Sequence, residues 1–96
     1  MIFVIDKLKY DTDKMELISE KCKYTYTWKF TLANIGIQSC GKDVKVWKSK
    51  KGNWLLTYST DYDSRGVKLL EEDVKKLLMK YDLSKYEEVF GELEEA

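Results

Sequence analysis

The chain has 96 residues, 44% of them hydrophobic and 35% charged, with 17 basic against 17 acidic side chains and no histidine. That length supports one α+β domain over 1–96, mainly β to residue 69 and helical over 70–93. The apolar content argues against disorder, and no apolar run approaches the roughly 18 residues of a membrane span. Without histidine, Ser or Cys triads and a conventional zinc site lose their usual base and ligand.

Ile2 to Ile5 reads as a first strand, and its apolar run stops at Asp6, too short for a signal-peptide core, which predicts a cytoplasmic protein. Asp11-Thr12-Asp13 reads as a turn or a one-turn helix, since these side chains bond nearby backbone amides. Met15 to Ser19 returns as a second strand. From Lys23 to Leu32, Tyr24, Tyr26, Trp28, Phe30 and Leu32 alternate with Lys and Thr, the period of a half-buried antiparallel strand. An alternative use of that aromatic row is as a stacking platform for single-stranded nucleic acid. Ala33 to Asp43, interrupted by Gly36 and Gly41, reads as a loop.

Val44 to Ser59 is the strongest hairpin signal, with Gly52 in a turn at Lys50–Asn53. Val44 and Val46 share one face of its first arm, and Lys45, Trp47 and Ser49 the other. In the second arm Trp54, Leu56 and Tyr58 oppose Leu55, Thr57 and Ser59. With Trp47 and Leu55 on the more polar side, neither face is cleanly polar. The pattern predicts a sheet covered by helix on one face and partly covered, or used for contact, on the other. Thr60 to Gly66 then reads as an exposed, flexible loop, and Val67 to Leu69 as a short edge strand.

Beyond Leu70 the period changes. Val74, Leu77, Leu78 and Tyr81 form an apolar helical stripe, with Glu71, Glu72 and Asp73 in the first turn and lysines after them, the order that suits the helix dipole. Ser84 with Glu87 reads as a capping box for a second helix whose Tyr86, Val89, Phe90 and Leu93 reach the core. The predicted fold is an antiparallel sheet of about four to five strands with two C-terminal helices packed on one face. Glu92, Glu94 and Glu95 read as a solvated tail, with mimicry of a phosphate backbone as the alternative.

Charge is unevenly placed, at +5 over residues 1–51 and −5 over 52–96. Such asymmetry can orient a partner or promote head-to-tail contact with another copy, so a homodimer stays open. Cys22 and Cys40 read as reduced thiols, although their spacing does not forbid a bridge. A carboxylate pair such as Asp61 with Asp63 could bind a hard cation or do acid-base work, but two acids in a mobile loop are more often plain polar loop residues. With no Gly-rich phosphate loop and no CxxC, the chain reads as a non-enzyme without a cofactor or metal. Lys42, Lys45, Lys48, Lys50 and Lys51 around Trp47 form a candidate phosphate-binding ribbon. Zero net charge and a single arginine, Arg65, argue against general nucleic-acid affinity.

Four segments carry a family resemblance: Lys9-Tyr10-Asp11-Thr12-Asp13-Lys14, Lys50-Lys51-Gly52-Asn53-Trp54-Leu55-Leu56, Leu70-Glu71-Glu72-Asp73-Val74 and Phe90-Gly91-Glu92-Leu93-Glu94-Glu95-Ala96. The sequence resembles a family of small proteins carried by bacterial phages and other mobile elements. It departs from that pattern at Tyr58–Asp63, where such proteins usually carry a Gly-rich aromatic stretch. The resemblance implies an accessory protein of the bacterial host cytoplasm that inhibits host defence, as anti-CRISPR proteins do, by binding a CRISPR effector complex. Trp47, Lys48, Asp61, Tyr62, Asp63 and Arg65 are the candidate contacts for that partner.

Overall fold

A computed structural model of the chain describes residues 1–30 and 35–96, and side chains outside 27–37. The described elements are β1 (Ile2–Ile5), β2 (Leu8–Asp11), a 3₁₀ turn (Thr12–Lys14), β3 (Glu16–Ser19), β4 (Thr25–Phe30), β5 (Ile35–Cys40), β6 (Lys42–Lys48), β7 (Trp54–Ser59), β8 (Ser64–Leu69), α1 (Glu71–Tyr81) and α2 (Leu83–Phe90). Four strands make an antiparallel sheet in the order β3-β6-β7-β8, while β1-β2 and β4-β5 pair as separate hairpins. The α+β architecture, with two helices on one face of a four-stranded sheet, agrees with the sequence.

The sheet grows from β6 and β7, whose register sets Val46 opposite Leu56 and Lys48 opposite Trp54. Gly52 turns the chain between them at φ 87°, a conformation that costs most side chains free energy. On the helical face Val44, Val46, Trp54, Leu56 and Tyr58 join Ile18, Cys22, Leu69, Val74 and Leu78 in one buried cluster. Leu77, Tyr81, Tyr86, Val89 and Phe90 pack around it, and the Phe90 ring lies 5.8 Å from that of Trp54. Burial of this set supplies the main driving force for docking the helices.

The opposite face is covered by the β1-β2 hairpin, so Leu55 is as fully buried as Leu56. Phe3 lies directly over Gly66, where an added Cβ would come within 2.8 Å of the ring. The sequence does not announce this hairpin. Its two turn residues, Asp6 and Lys7, take φ of 52° and 66°, and without a glycine there the usual hairpin signature is missing.

The stretch read as a loop at 33–43 instead contains β5 and the start of β6. Gly36 and Gly41 weaken strand propensity locally, but pairing of Thr25 with Cys40 through Phe30 with Ile35 supplies a complete ladder. Ala33 and Asn34 of that stretch lie outside the described residues. So do Leu32 and the side chains of Trp28 and Phe30 from the aromatic row, whereas Tyr24 and Tyr26 stack on Tyr58 at 4.9 and 5.2 Å. β8 likewise starts at Ser64 rather than Val67, because Ser64–Gly66 pair with Ser59–Thr57.

The second helix is capped by Asp82, two residues before the expected Ser84, and Leu93 points outward at 45% exposure instead of joining the core. Asp82 ends α1 through its own N–H, bonded to the Leu78 carbonyl at 2.8 Å. Its buried carboxylate accepts from the Ser19 hydroxyl at 2.7 Å, the Ser84 hydroxyl at 3.3 Å and the Lys85 N–H at 3.4 Å. Burial pushes this carboxyl up, and the hydrogen bonds from Ser19 and Lys85, the Lys21 charge and Ser84 outweigh it, so the group sits below the usual carboxylate range.

Gly66→Ala should destabilise the fold by about 1–3 kcal/mol, measured by urea denaturation, because the new methyl must displace Phe3. Asp82→Ala should cost about 2 kcal/mol by losing the cap and leaving Ser19 buried without its acceptor. Because the folded-state pKa of Asp82 is depressed, its contribution is present above the unfolded value and is lost as pH falls through the folded one. Asp82→Asn should therefore flatten the acid limb of stability against pH.

Candidate interaction surface

The β7-β8 connection is a short turn, because Ser64–Gly66 of the expected loop belong to β8. Thr60 donates its backbone N–H to the Asp63 carbonyl at 2.8 Å. The Thr60 hydroxyl accepts from the N–H groups of Tyr62 and Asp63 at 3.2 and 3.1 Å and donates to the Asp63 carboxylate at 2.7 Å. A threonine at this place closes the turn through its side chain, as short polar residues do where no secondary structure satisfies the backbone. Tyr62 at its tip is 96% exposed.

Around the tip the charges are paired. Asp61 bonds the Lys42 ammonium across the β6-β7 edge, and Asp63 accepts from the Arg65 guanidinium at 3.1 Å. The bond from Lys42 lowers the Asp61 carboxyl from its ordinary value, and the Thr60 hydroxyl does the same for Asp63 with help from Arg65. Arg65 also lies over the Tyr26 ring at 5.9 Å, above the Tyr24-Tyr58-Tyr26 stack. The result is a polar and aromatic end of the sheet, cross-linked by its own hydrogen bonds and ion pairs, with one unsupported tyrosine projecting from it.

Of the six candidate contacts, the structure brings Asp61, Tyr62, Asp63 and Arg65 together. Trp47 and Lys48 lie toward the other end of β6, roughly 20 Å from Lys42 at about 3.3 Å per residue. They also face opposite ways. Trp47 is on the outer face with its indole N–H bonded to the Thr57 hydroxyl at 2.9 Å, beside Phe3 and Lys45 in a shallow cleft. Lys48 lies over the Trp54 ring, 5.3 Å from its centre, on the helical side.

The five lysines of the candidate phosphate ribbon are likewise dispersed. Lys42 pairs with Asp61, Lys45 lies 3.9 Å from Glu20 and 3.7 Å from Asp43, and Lys48 sits on Trp54. Only Lys50 and Lys51 stay together, where the β6-β7 turn meets β2. There they join Lys9 and Lys14, which strand periodicity could not have indicated because it gave no β2. Among the described residues no three of His, Cys, Asp and Glu gather in a way that could hold a metal, and Asp61 and Asp63 are each engaged with a cation. Cys22 is buried and Cys40 exposed, both free, and burial raises the Cys22 thiol despite its bond to Ser19. No described helix is long and apolar enough to cross a membrane.

Comparison with protein-family models, characterised proteins and solved structures gives no match.

If the Thr60 hydroxyl holds the turn, Thr60→Ala should raise amide hydrogen exchange at Tyr62 and Asp63 by at least about tenfold while leaving β7 and β8 protected.

Proposed function

We propose that the protein is a non-enzymatic binder that inhibits a bacterial defence effector, and that the effector is a CRISPR nuclease complex. The Thr60–Asp63 turn carries the binding part of this reading. It presents Tyr62 almost wholly to solvent, with Asp61–Lys42 and Asp63–Arg65 fixed on either side. Tyrosine and arginine are the residue types that most often anchor protein interfaces. A tip already held by its own hydrogen bonds loses little conformational freedom on docking. The choice of a defence effector as partner comes from the likeness to phage and mobile-element proteins in the Lys9–Lys14, Lys50–Leu56 and Phe90–Ala96 segments.

In this mechanism Tyr62 enters a pocket of the effector, and the flanking ion pairs supply a polar rim that sets orientation. Inhibition follows from occlusion of a nucleic-acid channel or of a hinge that must move for cleavage, without any bond being made or broken.

The test is a pull-down with tagged protein from nuclease-treated lysate of a strain carrying active CRISPR systems. Recovery of an effector subunit in near-stoichiometric amount is expected, with Tyr62→Ala weakening binding at least about tenfold and Trp47→Ala having little effect. Capture that disappears after nuclease treatment would overturn the reading in favour of a nucleic-acid-binding module.

A further inference from the structure

Where β2 passes the β6-β7 turn, the chain forms an open groove of about 410 Å³. Leu8 and Met15 contribute apolar wall, and Lys9, Lys14, Lys50 and Lys51 surround it with Asp11 as the only acid in its lining. None of these four lysines makes an ion pair with a described carboxylate, in contrast to Lys42, Lys45, Lys68 and Lys85. Tyr10 also lines the groove, 3% exposed, and its hydroxyl has no hydrogen-bond partner among the described residues. Apolar wall and four uncommitted ammonium groups together fit an extended peptide that alternates carboxylates with an apolar side chain. A bare phosphate would leave the apolar wall unused.

The chain itself carries such a peptide. After α2, residues Glu92-Leu93-Glu94-Glu95 run as exposed coil, and none of them makes a hydrogen bond or ion pair with another described residue. Leu93 is 45% exposed between acids. The same opposition holds at the scale of the fold. Residues 70–96, which contain both helices, carry nine acids against four lysines, a net charge of −5, and the strand-bearing part balances it at +5.

We propose that the lysine groove receives the Glu92–Glu95 segment of a second copy, so that the protein self-associates head to tail. Leu93 occupies the apolar wall between Leu8 and Met15, and the glutamates meet Lys9, Lys14, Lys50 and Lys51. The contact is heterologous, because groove and segment are different surfaces, so association either closes by reciprocal exchange or continues beyond two copies. Its energy is largely that of exposed ion pairs, so it is weak and responds to salt. This inference is independent of the effector-binding reading, which uses the other end of the sheet.

Sedimentation velocity over a concentration series tests it. In 50 mM NaCl the average mass should rise with concentration, and in 500 mM NaCl the apparent Kd should weaken by at least about tenfold. The variants K50E/K51E and E94K/E95K, each confirmed folded by circular dichroism, should be monomeric alone. Mixed one to one they should associate again, because the reversed groove then meets the reversed segment. Y62A should associate like the wild type, which separates this contact from effector binding. In ¹⁵N-labelled E94K/E95K, the synthetic peptide GELEEA should shift the amide signals of Lys9, Lys14, Lys50 and Lys51. A protein monomeric at every concentration in low salt would overturn the proposal. So would association that neither salt nor the charge variants change, or a K50E/K51E-sensitive affinity for a single-stranded oligonucleotide in the absence of self-association.

Discussion

The structure depends on a strand that is buried on both sides. Trp54, Leu55, Leu56 and Tyr58 of β7 are all at 6% exposure or less, so apolar side chains leave this strand in both directions. A chain of fewer than a hundred residues cannot leave either face open without losing much of its stabilising burial. Two covers are therefore required, and they come from opposite ends of the chain. The helices close one face through Val74 and Leu78, and the β1-β2 hairpin closes the other through Phe3.

Those covers are fixed in different ways. The helices are tied down by Asp82, whose carboxylate bonds Ser19 of β3 and the first turn of α2 while its backbone ends α1. A short polar residue thereby sets both the angle between the helices and their position on the sheet. The hairpin has no comparable polar joint. Close packing of Phe3 on Gly66 and the Lys68–Asp6 ion pair at 3.5 Å hold it. Gly66 serves by its lack of a side chain, and its φ is not in the left-handed region.

With both faces covered, the two proposed contact sites lie at the ends of the sheet. At one end the Thr60–Asp63 turn projects Tyr62 into solvent beside the cluster of Tyr24, Tyr58 and Tyr26, on which Arg65 lies, and its charges neutralise one another. At the other, lysines from β2, the 3₁₀ turn and the β6-β7 turn converge with no described acid pairing them. The first end suits a specific, preorganised anchor. The second suits an acidic partner held by many weak contacts.

The central hairpin, both helices, the helical-face core of Val44, Val46, Trp54, Leu56, Val74 and Leu78, and the turn character of Asp11–Asp13 are legible in the residues alone. In these segments one dominant period, 2 or 3.6, coincides with burial, and Gly52 marks the reversal. The sequence also made Thr60–Gly66 visible as a polar connection, though not as a short turn ending where β8 begins at Ser64, because the closure rests on one hydroxyl meeting two amides. Tertiary structure alone decided that Asp6-Lys7 would turn without glycine, that 35–40 would pair despite Gly36, and that Asp82 rather than Ser84 would cap α2. It also decided that Trp47 and Lys48 would part company with the Asp61–Arg65 end, and that Lys9 and Lys14 would meet Lys50 and Lys51. Each of these outcomes depends on which segments lie side by side in space, and local periodicity does not encode that.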